Sequence, residues 1–292
     1  VVGSRRLEMC GRGLISAWGM ILDRWGQSFQ TDGAGGQGIN YTFPDSVFRA
    51  SPNEPRSLNG LNPGRPKSCG LEVISGNHFP PAWRGNLLTS DFRANNIDRY
   101  VISSDQSGYK SVLHPDLLSS SHLSFRPIDI VMGPDGAAYV ADWYSPIIQH
   151  GEVDFRDKRR DRVHGRIWRI TAKGRPLVSS IDYASKSIPQ LMDLLKHDAD
   201  WARLNARQEL KKRDEAEVTA SLEAWLHSLD RSDPAHERHR LEALWTYQTI
   251  TTRRSPSLIH EVLRSPDRRV RAAAIRVLYH WGGSPQTLAE ES

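Results

Sequence analysis

Short runs that alternate between apolar and polar residues occupy the first part of the chain and predict β-strands with one buried face. Two such runs, Gly85–Asp91 (GNLLTSD) and Gly136–Asp142 (GAAYVAD), lie 51 residues apart and share a glycine, an alternating strand and a final aspartate. Each is followed by a run of the form Ile-x-Arg-apolar, which starts at Ile97 or Ile167. A repeat of this length with several short strands is typical of β-propeller blades. Residues 1–178 are therefore predicted to form two to three blades of a partial β-propeller.

Beyond residue 178 the apolar residues recur at helical spacing, as in the segment IPQLMDLLKH. Three later segments align on an arginine, an alanine and a large apolar residue, at Arg203, Arg240 and Arg271, at Ala206, Ala243 and Ala274, and at Leu210, Tyr247 and Leu278. Small alanines allow paired helices to approach closely, and tandem helix pairs are typical of HEAT-type repeats. We therefore predict an all-α, HEAT-like solenoid over residues 179–292, with a plain helical bundle as the alternative.

The link that follows the second strand copy differs from its counterpart because it contains 19 additional residues. From Glu152 to Arg169 it holds four acidic and seven basic residues. His150, Glu152 and Asp154 alternate, so in an extended chain their side chains point one way and could bind a metal ion. His150 or His164 beside carboxylates could also act as a general base. A loop closed by its own salt bridges explains the same charges without any ligand, and both interpretations stay open at this point.

Several other polar and aromatic residues are predicted to have structural roles. Asp91 and Asp142 recur at the same place in both copies, which favours a carboxylate that holds the amides of the next turn. His78 lies in the proline-bounded segment GNHFPPAW, where a role in a turn is expected rather than catalysis. Trp83 and Trp143 lie beside these loops, and packing is the default expectation, with stacking on a sugar ring or a quinone as the alternative.

Composition narrows the possible functions of this 292-residue chain. The net charge of +5 is scattered along the sequence, so we predict no nucleic-acid binding. No apolar run approaches the roughly 20 residues that a membrane span needs. The segment Thr31–Gly38 is rich in glycine but lacks the strand–helix context of a dinucleotide site. The only two cysteines, Cys10 and Cys69, are too few for a disulfide framework, and whether they pair stays open.

Three segments, Asp23–Phe48, Gly70–Tyr100 and Ser124–Val178, resemble a family of large secreted bacterial proteins. These are known as PVC-type haem-binding CxxCH proteins or membrane-bound dehydrogenase domain proteins. The resemblance implies a propeller similar to sorbosone and glucose dehydrogenases, then HEAT repeats, then a C-terminal cytochrome c domain. This chain contains no C-x-x-C-H motif, so haem c would belong to a domain outside it. The chain also begins at Val1 without a signal-peptide pattern, so we expect a fragment of a longer protein. The family resemblance implies that this protein is periplasmic or secreted.

The propeller also resembles quinone-dependent sugar dehydrogenases, and this likeness implies two cofactor-binding residues. Arg93 in TSDFRAN follows a strand, and Arg126 in FRPIDIVMGPDG precedes a Pro-Asp-Gly turn. Both would bind the carboxylates of pyrroloquinoline quinone, with Ca²⁺ as a further cofactor. The implied function is oxidation of a sugar or an alcohol, with electrons passing to the cytochrome c domain. The alternative is a non-catalytic propeller and HEAT module that binds a polysaccharide or a protein partner.

Overall fold

The computed structural model describes residue 9 and residues 11–64, 67–148, 153–251 and 255–281. The chain divides into two compact units, Val1–Val178 and Ser179–Ser292. Strands form the first unit and helices form the second. None of the helices within the described ranges combines the length and the apolar character that crossing a bilayer requires.

The first unit consists of short strands joined in open sheets. The strands are β1 (Gly11–Arg12), β2 (Ala17–Leu22), β3 (Ser28–Asp32), β4 (Gly38–Thr42), β5 (Ser46–Val47), β6 (Ser68–Val73), β7 (Leu87–Asp91), β8 (Asn96–Asp105), β9 (Gly108–Ser119), β10 (Pro127–Met132), β11 (Ala138–Asp142) and β12 (Arg166–Ile170). Three antiparallel sheets have the orders β2-β3-β4 (sheet 1), β6-β7-β8-β9 (sheet 2) and β10-β11-β12 (sheet 3), while β1 and β5 pair in parallel. Consecutive strands are neighbours throughout the three sheets, so each sheet is a simple meander.

The three sheets share one construction. The second strand of each ends on an aspartate, at Asp32, Asp91 and Asp142, and this aspartate pairs with the first residue of the strands on both sides. The first strand of each sheet then contains a register shift after its first residue, where it bulges against its partner. The two runs that repeat in the sequence therefore lie at equivalent places in sheets 2 and 3. Sheet 1 is a third copy of the same construction, with the strand SFQTD in this place.

Apolar side chains fill the space between neighbouring sheets. One cluster joins sheets 1 and 2 and includes Phe29, Leu71 and Tyr100. A second cluster joins sheets 2 and 3 and includes Leu88 and Ile130. Alternation along each strand sends side chains to both faces of sheet 2, and both faces of this sheet are therefore buried.

Glycines let the first strands of neighbouring sheets approach closely. A Cβ atom at Gly19 in β2 would lie 2.6 Å from the backbone nitrogen of Leu71 in β6. A Cβ atom at Gly70 in β6 would lie 2.6 Å from the Cα atom of Asp129 in β10. Both glycines occupy the bulge that follows the first residue of the strand, so the close approach recurs at the same register. Only glycine fits at these points without a shift of the backbone.

The second unit contains the helices α1 (Ile188–Asp193), α2 (Asp200–Leu210), α3 (Glu215–His227), α4 (His236–Ile250), α5 (Pro256–Leu263) and α6 (Arg268–His280). Ser187 and Gln190 form a capping box that begins α1, and Asp214 and Asp267 accept backbone amides at the starts of α3 and α6. Helix α4 packs against both α2 and α6. The aligned alanines of these three helices, Ala206, Ala243 and Ala274, are all fully buried.

Candidate functional site

Three connections leave the sheets at equivalent positions, and they define what we call the connection end of the first unit. They run from Asp32 to Gly38, from Asp91 to Asn96 and from Asp142 to Arg166. The first two are short turns, whereas the third contains all of the additional residues found in the sequence. We call residues 143–165 the long connection. The structure describes it at 143–148 and 153–165.

The recurring aspartates hold these connections in place. Oδ1 of Asp32, Asp91 and Asp142 each accepts the backbone amide two residues further on, at distances of 3.3, 3.0 and 2.9 Å. Asp142 additionally accepts the amide of Arg126 at 2.8 Å and the indole Nε1 of Trp168 at 3.0 Å. These bonds give the aspartates the structural role expected of carboxylates that cap a turn.

The two arginines predicted to bind a cofactor have different surroundings. Arg93 lies in the short turn after Asp91, and its side chain is exposed. Arg126 is buried, and its guanidinium donates to backbone carbonyls of two connections, at 2.8 Å to Phe92 and at 3.0 Å to Ser145. Burial lowers the pKa of Arg126, an effect that Asp142 opposes. Arg126 therefore fastens the Arg93 turn to the start of the long connection, and its donors are committed to the protein backbone.

His164 and Asp161 form a dyad in the long connection. The ring Nδ1 lies 2.8 Å from Oδ2 of Asp161, and Oδ1 of the same carboxylate accepts the amides of Val163 and His164. These two amides and the imidazole hold the pKa of Asp161 down to about 2. The carboxylate is therefore ionised at neutral pH and can only accept a hydrogen bond, so Nδ1 of His164 carries the donated hydrogen. This leaves the Nε2 lone pair of a neutral ring available to act as a base.

Tyr144 connects this dyad to the strands. Its backbone is in the left-handed region with φ of 51°, which is uncommon for a bulky residue. His122 stacks on the Tyr144 ring with centroids 5.6 Å apart, and the His164 ring meets it edge-on at 6.0 Å. The guanidinium carbon of Arg166 lies 3.5 Å from the centroid of the Tyr144 ring. A tyrosine, two histidines and an arginine thus meet at one exposed point of the connection end.

Only one of the three predicted metal ligands lies among the residues that the structure describes. Two of the ligands, His150 and Glu152, lie outside the described residues, and His150 is also the other residue predicted to act as a base. Asp154 is exposed, and its carboxylate accepts the amide of Arg156 at 2.7 Å. Across the part of the chain that the structure describes, no group of three histidine, cysteine, aspartate or glutamate side chains is placed to hold a metal ion.

Charged side chains of the long connection also hold its backbone, as one of the two interpretations of the sequence proposes. Arg159 and Asp157 form an ion pair at 2.8 Å, and the pair lowers the pKa of the Asp157 carboxyl. Arg160 donates to the carbonyl of Val153, and Arg162 donates to the carbonyl of Phe155. These contacts fold the connection on itself while its histidine dyad stays at the surface.

His78 is buried and joins sheets 2 and 3 away from the dyad. Its Nε2 accepts the amide of Ala172 at 2.9 Å, so its Nδ1 carries the proton that is donated to the carbonyl of Pro176 at 2.8 Å. The carbonyl of His78 in turn accepts from the guanidinium of Arg175. This geometry matches a structural role for His78. Trp83 also packs, since its ring stacks on Phe79.

Two tryptophans at the connection end remain partly open to solvent. Trp143 is 41% exposed and begins the long connection, and Trp168 in β12 is 44% exposed. Sequence reasoning considered Trp143, whereas it did not single out Trp168, Tyr144, His122 or Asp161. The spacing Asp-x-x-His from Asp161 to His164 is the one signal in the sequence that could have indicated the dyad.

Comparisons with known proteins give one family match and several structural likenesses. Residues 64–174 match the family described as Domain of unknown function (DUF7133). No curated protein sequence matches the chain. Among solved structures, the chain is similar to an oxidoreductase of Thermus thermophilus described as a glucose dehydrogenase, with 22% identity and a TM-score of 0.37 over 48% of this chain and 43% of that one.

Two further structures are similar to the chain over comparable lengths. The soluble aldose sugar dehydrogenase of Escherichia coli, in its apo form, is 16% identical with a TM-score of 0.36, over 48% of this chain and 46% of that one. The PQQ-bound aldose sugar dehydrogenase of Streptomyces coelicolor is 10% identical with a TM-score of 0.36, over 59% of this chain and 48% of that one. The chain thus spans less than half the length of each of these three relatives.

Proposed function

We propose that the first unit is part of a propeller of the sugar dehydrogenase type, and that its connection end oxidises a hydroxyl group of a sugar or an alcohol. The observation that carries this proposal is the His164–Asp161 dyad, which lies at the surface against the ring of Tyr144. Oxidation of an alcohol to a carbonyl removes a proton from oxygen and a hydride from carbon. A general base must therefore reach the hydroxyl group, and His164 is the described residue best placed to be that base.

His164 and Asp161 have different roles in proton removal. Nε2 of His164 accepts the hydroxyl proton as the O–H bond breaks. Asp161 keeps the ring in the tautomer with the proton on Nδ1 and stabilises the imidazolium that forms. Tyr144 fixes the position of the ring through their edge-on contact. The exposed faces of Trp143 and Trp168 at the same end offer surfaces on which the apolar face of a sugar ring can stack.

The hydride needs an acceptor, and pyrroloquinoline quinone is the acceptor that we propose. A quinone supplies that chemistry because its ring accepts the hydride and is reduced to the quinol. The residues present fit such an anion in part. Arg93 presents an exposed guanidinium that can pair with a carboxylate, whereas the donors of Arg126 bind the carbonyls of Phe92 and Ser145. We therefore assign contact with the quinone to Arg93 and the support of its turn to Arg126.

The remaining parts of the proposal concern the whole protein. The second unit would be a HEAT-like solenoid, since its buried alanines recur on α2, α4 and α6. Electrons would pass from the quinol to a cytochrome c domain outside this chain. Such a protein would function in the periplasm or outside the cell.

The experiment compares dye reduction by the full chain, supplied with pyrroloquinoline quinone and Ca²⁺, over a panel of sugars and alcohols. His164→Gln keeps a polar side chain but removes the base, and we expect the rate to fall by about 10² to 10⁴-fold. The matched control is His227→Gln, because His227 is an exposed histidine on α3 in the second unit. Absence of turnover on every substrate, or an unchanged rate in the His164→Gln chain, would rule out the oxidation.

The second candidate function is a binding module without catalysis, which the exposed Trp143 and Trp168 favour. In that case oligosaccharides would bind the chain without any dye reduction. Trp143→Ala would then weaken binding, whereas His164→Gln would not. Equilibrium binding of the two variants to the same oligosaccharide separates the two functions.

A further inference from the structure

We infer that the contact between α3 and α4 in the second unit is an acid-sensitive switch, which opens when His239 takes up a proton. His239 lies on α4, and only 4% of its surface is exposed. The proposed oxidation uses residues of the first unit alone, so this switch is independent of it.

The hydrogen bond between His239 and Arg238 requires a neutral imidazole ring. Nη2 of Arg238 lies 3.1 Å from Nε2 of His239, and both side chains are buried. A guanidinium can only donate hydrogen bonds, so Nε2 must accept and the single ring proton is on Nδ1, which faces Oδ2 of Asp233 at 3.5 Å. A second proton, on Nε2, would break the bond from Arg238 and place two buried cations in contact.

Most of the charged groups around His239 oppose that second proton. Arg238, Lys196 and His236 each disfavour a positive charge on the ring, whereas the partly exposed Asp233 favours one. Burial has the largest effect, and these causes together lower the pKa of His239 from 6.5 to about 4. The histidine is therefore neutral at neutral pH and becomes charged only in acid.

The His239 ring lies where α3 packs against α4. It meets the ring of Trp225 on α3 edge-on, with the centroids 6.4 Å apart. Nζ of Lys196 lies 5.6 Å from the centroid of the same tryptophan. Trp225 belongs to the buried face of α3, together with Val218 and Leu222. A positive charge on His239 would therefore appear beside the apolar contact that holds α3 in place.

Helix α3, rather than α2, is the element that we expect to separate from α4. Glu242 on α4 accepts from Nε of Arg203 at 2.6 Å and also pairs with Arg207, and both arginines belong to α2. A proton on His239 leaves these two ion pairs intact. On α3, in contrast, the indole nitrogen of Trp225 is buried without a hydrogen-bond partner among the described residues. It would gain a partner from water when α3 opens.

The pH range of the switch follows from the direction of the pKa shift. The pKa of His239 is lowered while α3 is closed and would return towards 6.5 when the ring meets water. The open form then binds the proton more tightly, so the closed form loses stability as the pH falls from about 6.5 to about 4. Each unit of difference in pKa changes the equilibrium between the two forms about tenfold.

Hydrogen exchange of the full chain between about pH 7 and pH 4, corrected for the intrinsic exchange rate at each pH, tests the switch. We expect the protection factors of the α3 amides to fall by about 100-fold over this range. Those of α6 should change by less than about threefold, because α6 lies away from the contact between Trp225 and His239. A titration of the ring protons by NMR should give His239 a pKa of about 4.

Three variants locate the effect. His239→Gln keeps a group that can accept from Arg238 but cannot become charged, so α3 should stay protected in acid. The matched control, His227→Gln, removes an exposed histidine of α3 itself and should keep the full pH dependence. Lys196→Gln removes one positive charge beside the ring, so the opening should move to a higher pH. Circular dichroism at neutral pH verifies that each chain is folded.

Several results would overturn the switch. Constant protection of α3 between about pH 6.5 and pH 4, or an equal loss in the unmodified and His239→Gln chains, would show that His239 does not control the contact. An equal loss in α3 and α6 would indicate general unfolding in acid. If the His239→Gln chain does not fold, the Lys196→Gln chain decides, because opening at a higher pH supports the switch and opening at the same or a lower pH overturns it.

Discussion

The turn after Asp91 and the long connection after Asp142 start from the same place in equivalent sheets, yet they have diverged in length and in chemistry. Both aspartates end a second strand and accept the amide two residues further on. The Asp91 turn then enters β8 at Asn96, whereas the long connection contains a histidine–aspartate dyad and five exposed or partly exposed lysine and arginine residues. The comparison indicates that the repeated parts of this unit build its frame, and that candidate chemistry occurs where the repeat is broken.

Arg126 and Arg93 differ in the same way, since Arg126 holds the frame and Arg93 lies exposed in a turn. Their replacement should give the largest difference in the free energy of unfolding. Arg126→Met keeps much of the apolar stem but leaves the carbonyls of Phe92 and Ser145 without their donor. An unsatisfied buried acceptor costs about 1–3 kcal/mol, so we expect the free energy of unfolding to fall by about 3 kcal/mol. Arg93→Met, at an exposed position in the adjoining turn, should leave the stability unchanged. Urea denaturation of the two variants measures both effects.

For quinone binding we expect the reverse of the stability result, with the larger effect in Arg93→Met. If Arg93 contacts the quinone, Arg93→Met should weaken quinone binding in a fluorescence titration of the folded chain. An Arg126→Met chain as stable as the unmodified chain would show that Arg126 does not fasten the two connections.

A smaller difference in stability should separate Asp142, where the long connection starts, from Asp161 within it. Asp142 lies in the repeated frame and accepts two amides and the indole of Trp168, so Asp142→Ala should lower the free energy of unfolding by about 2 kcal/mol. Asp161 is at the surface, and Asp161→Ala should lower the urea midpoint much less than Asp142→Ala does, while it removes the dye reduction that we propose for His164. Equal losses of stability in the two variants would contradict the division between frame and chemistry.

The repeat could be predicted from the sequence because it produces local patterns of apolar and polar residues. The glycine, the alternating strand and the final aspartate in the two copies are visible without any structure, since side-chain alternation follows directly from strand geometry. The third copy, in sheet 1, has a weaker signal and is covered only by the upper end of the prediction of two to three blades, because its aspartate, Asp32, is followed by glycines rather than by the Ile-x-Arg run. The close approach of strands at Gly19 and Gly70 depends on contacts between sheets, which no local pattern records.

The candidate site was predictable only in part for a similar reason. His164 stood out because it lies in a charged segment that occurs once, whereas Tyr144 resembles any residue that follows a strand. Its importance comes from contacts with His122 and Arg166, each 22 residues away in the sequence. Arg126 could be found in the sequence, but its role could not. An arginine before a turn can bind either a ligand or backbone carbonyls, and which of the two it binds depends on how deeply its side chain is buried.

The smallest expected effect is a pH dependence confined to the long connection. The pKa of Asp161 is lowered from its ordinary value of 3.8 to about 2 by the amides of Val163 and His164 and by the His164 ring. A carboxyl group whose pKa is depressed in the folded state contributes stability above its unfolded pKa and loses this contribution as the pH falls. The amides of Val163 and His164 should therefore lose protection from hydrogen exchange between about pH 4 and pH 2, while the amides of β7 keep theirs. Asp161→Asn removes the titrating group and should abolish this pH dependence. Protection that changes equally in the variant and in the unmodified chain would mean that the carboxylate does not order the segment around the proposed base.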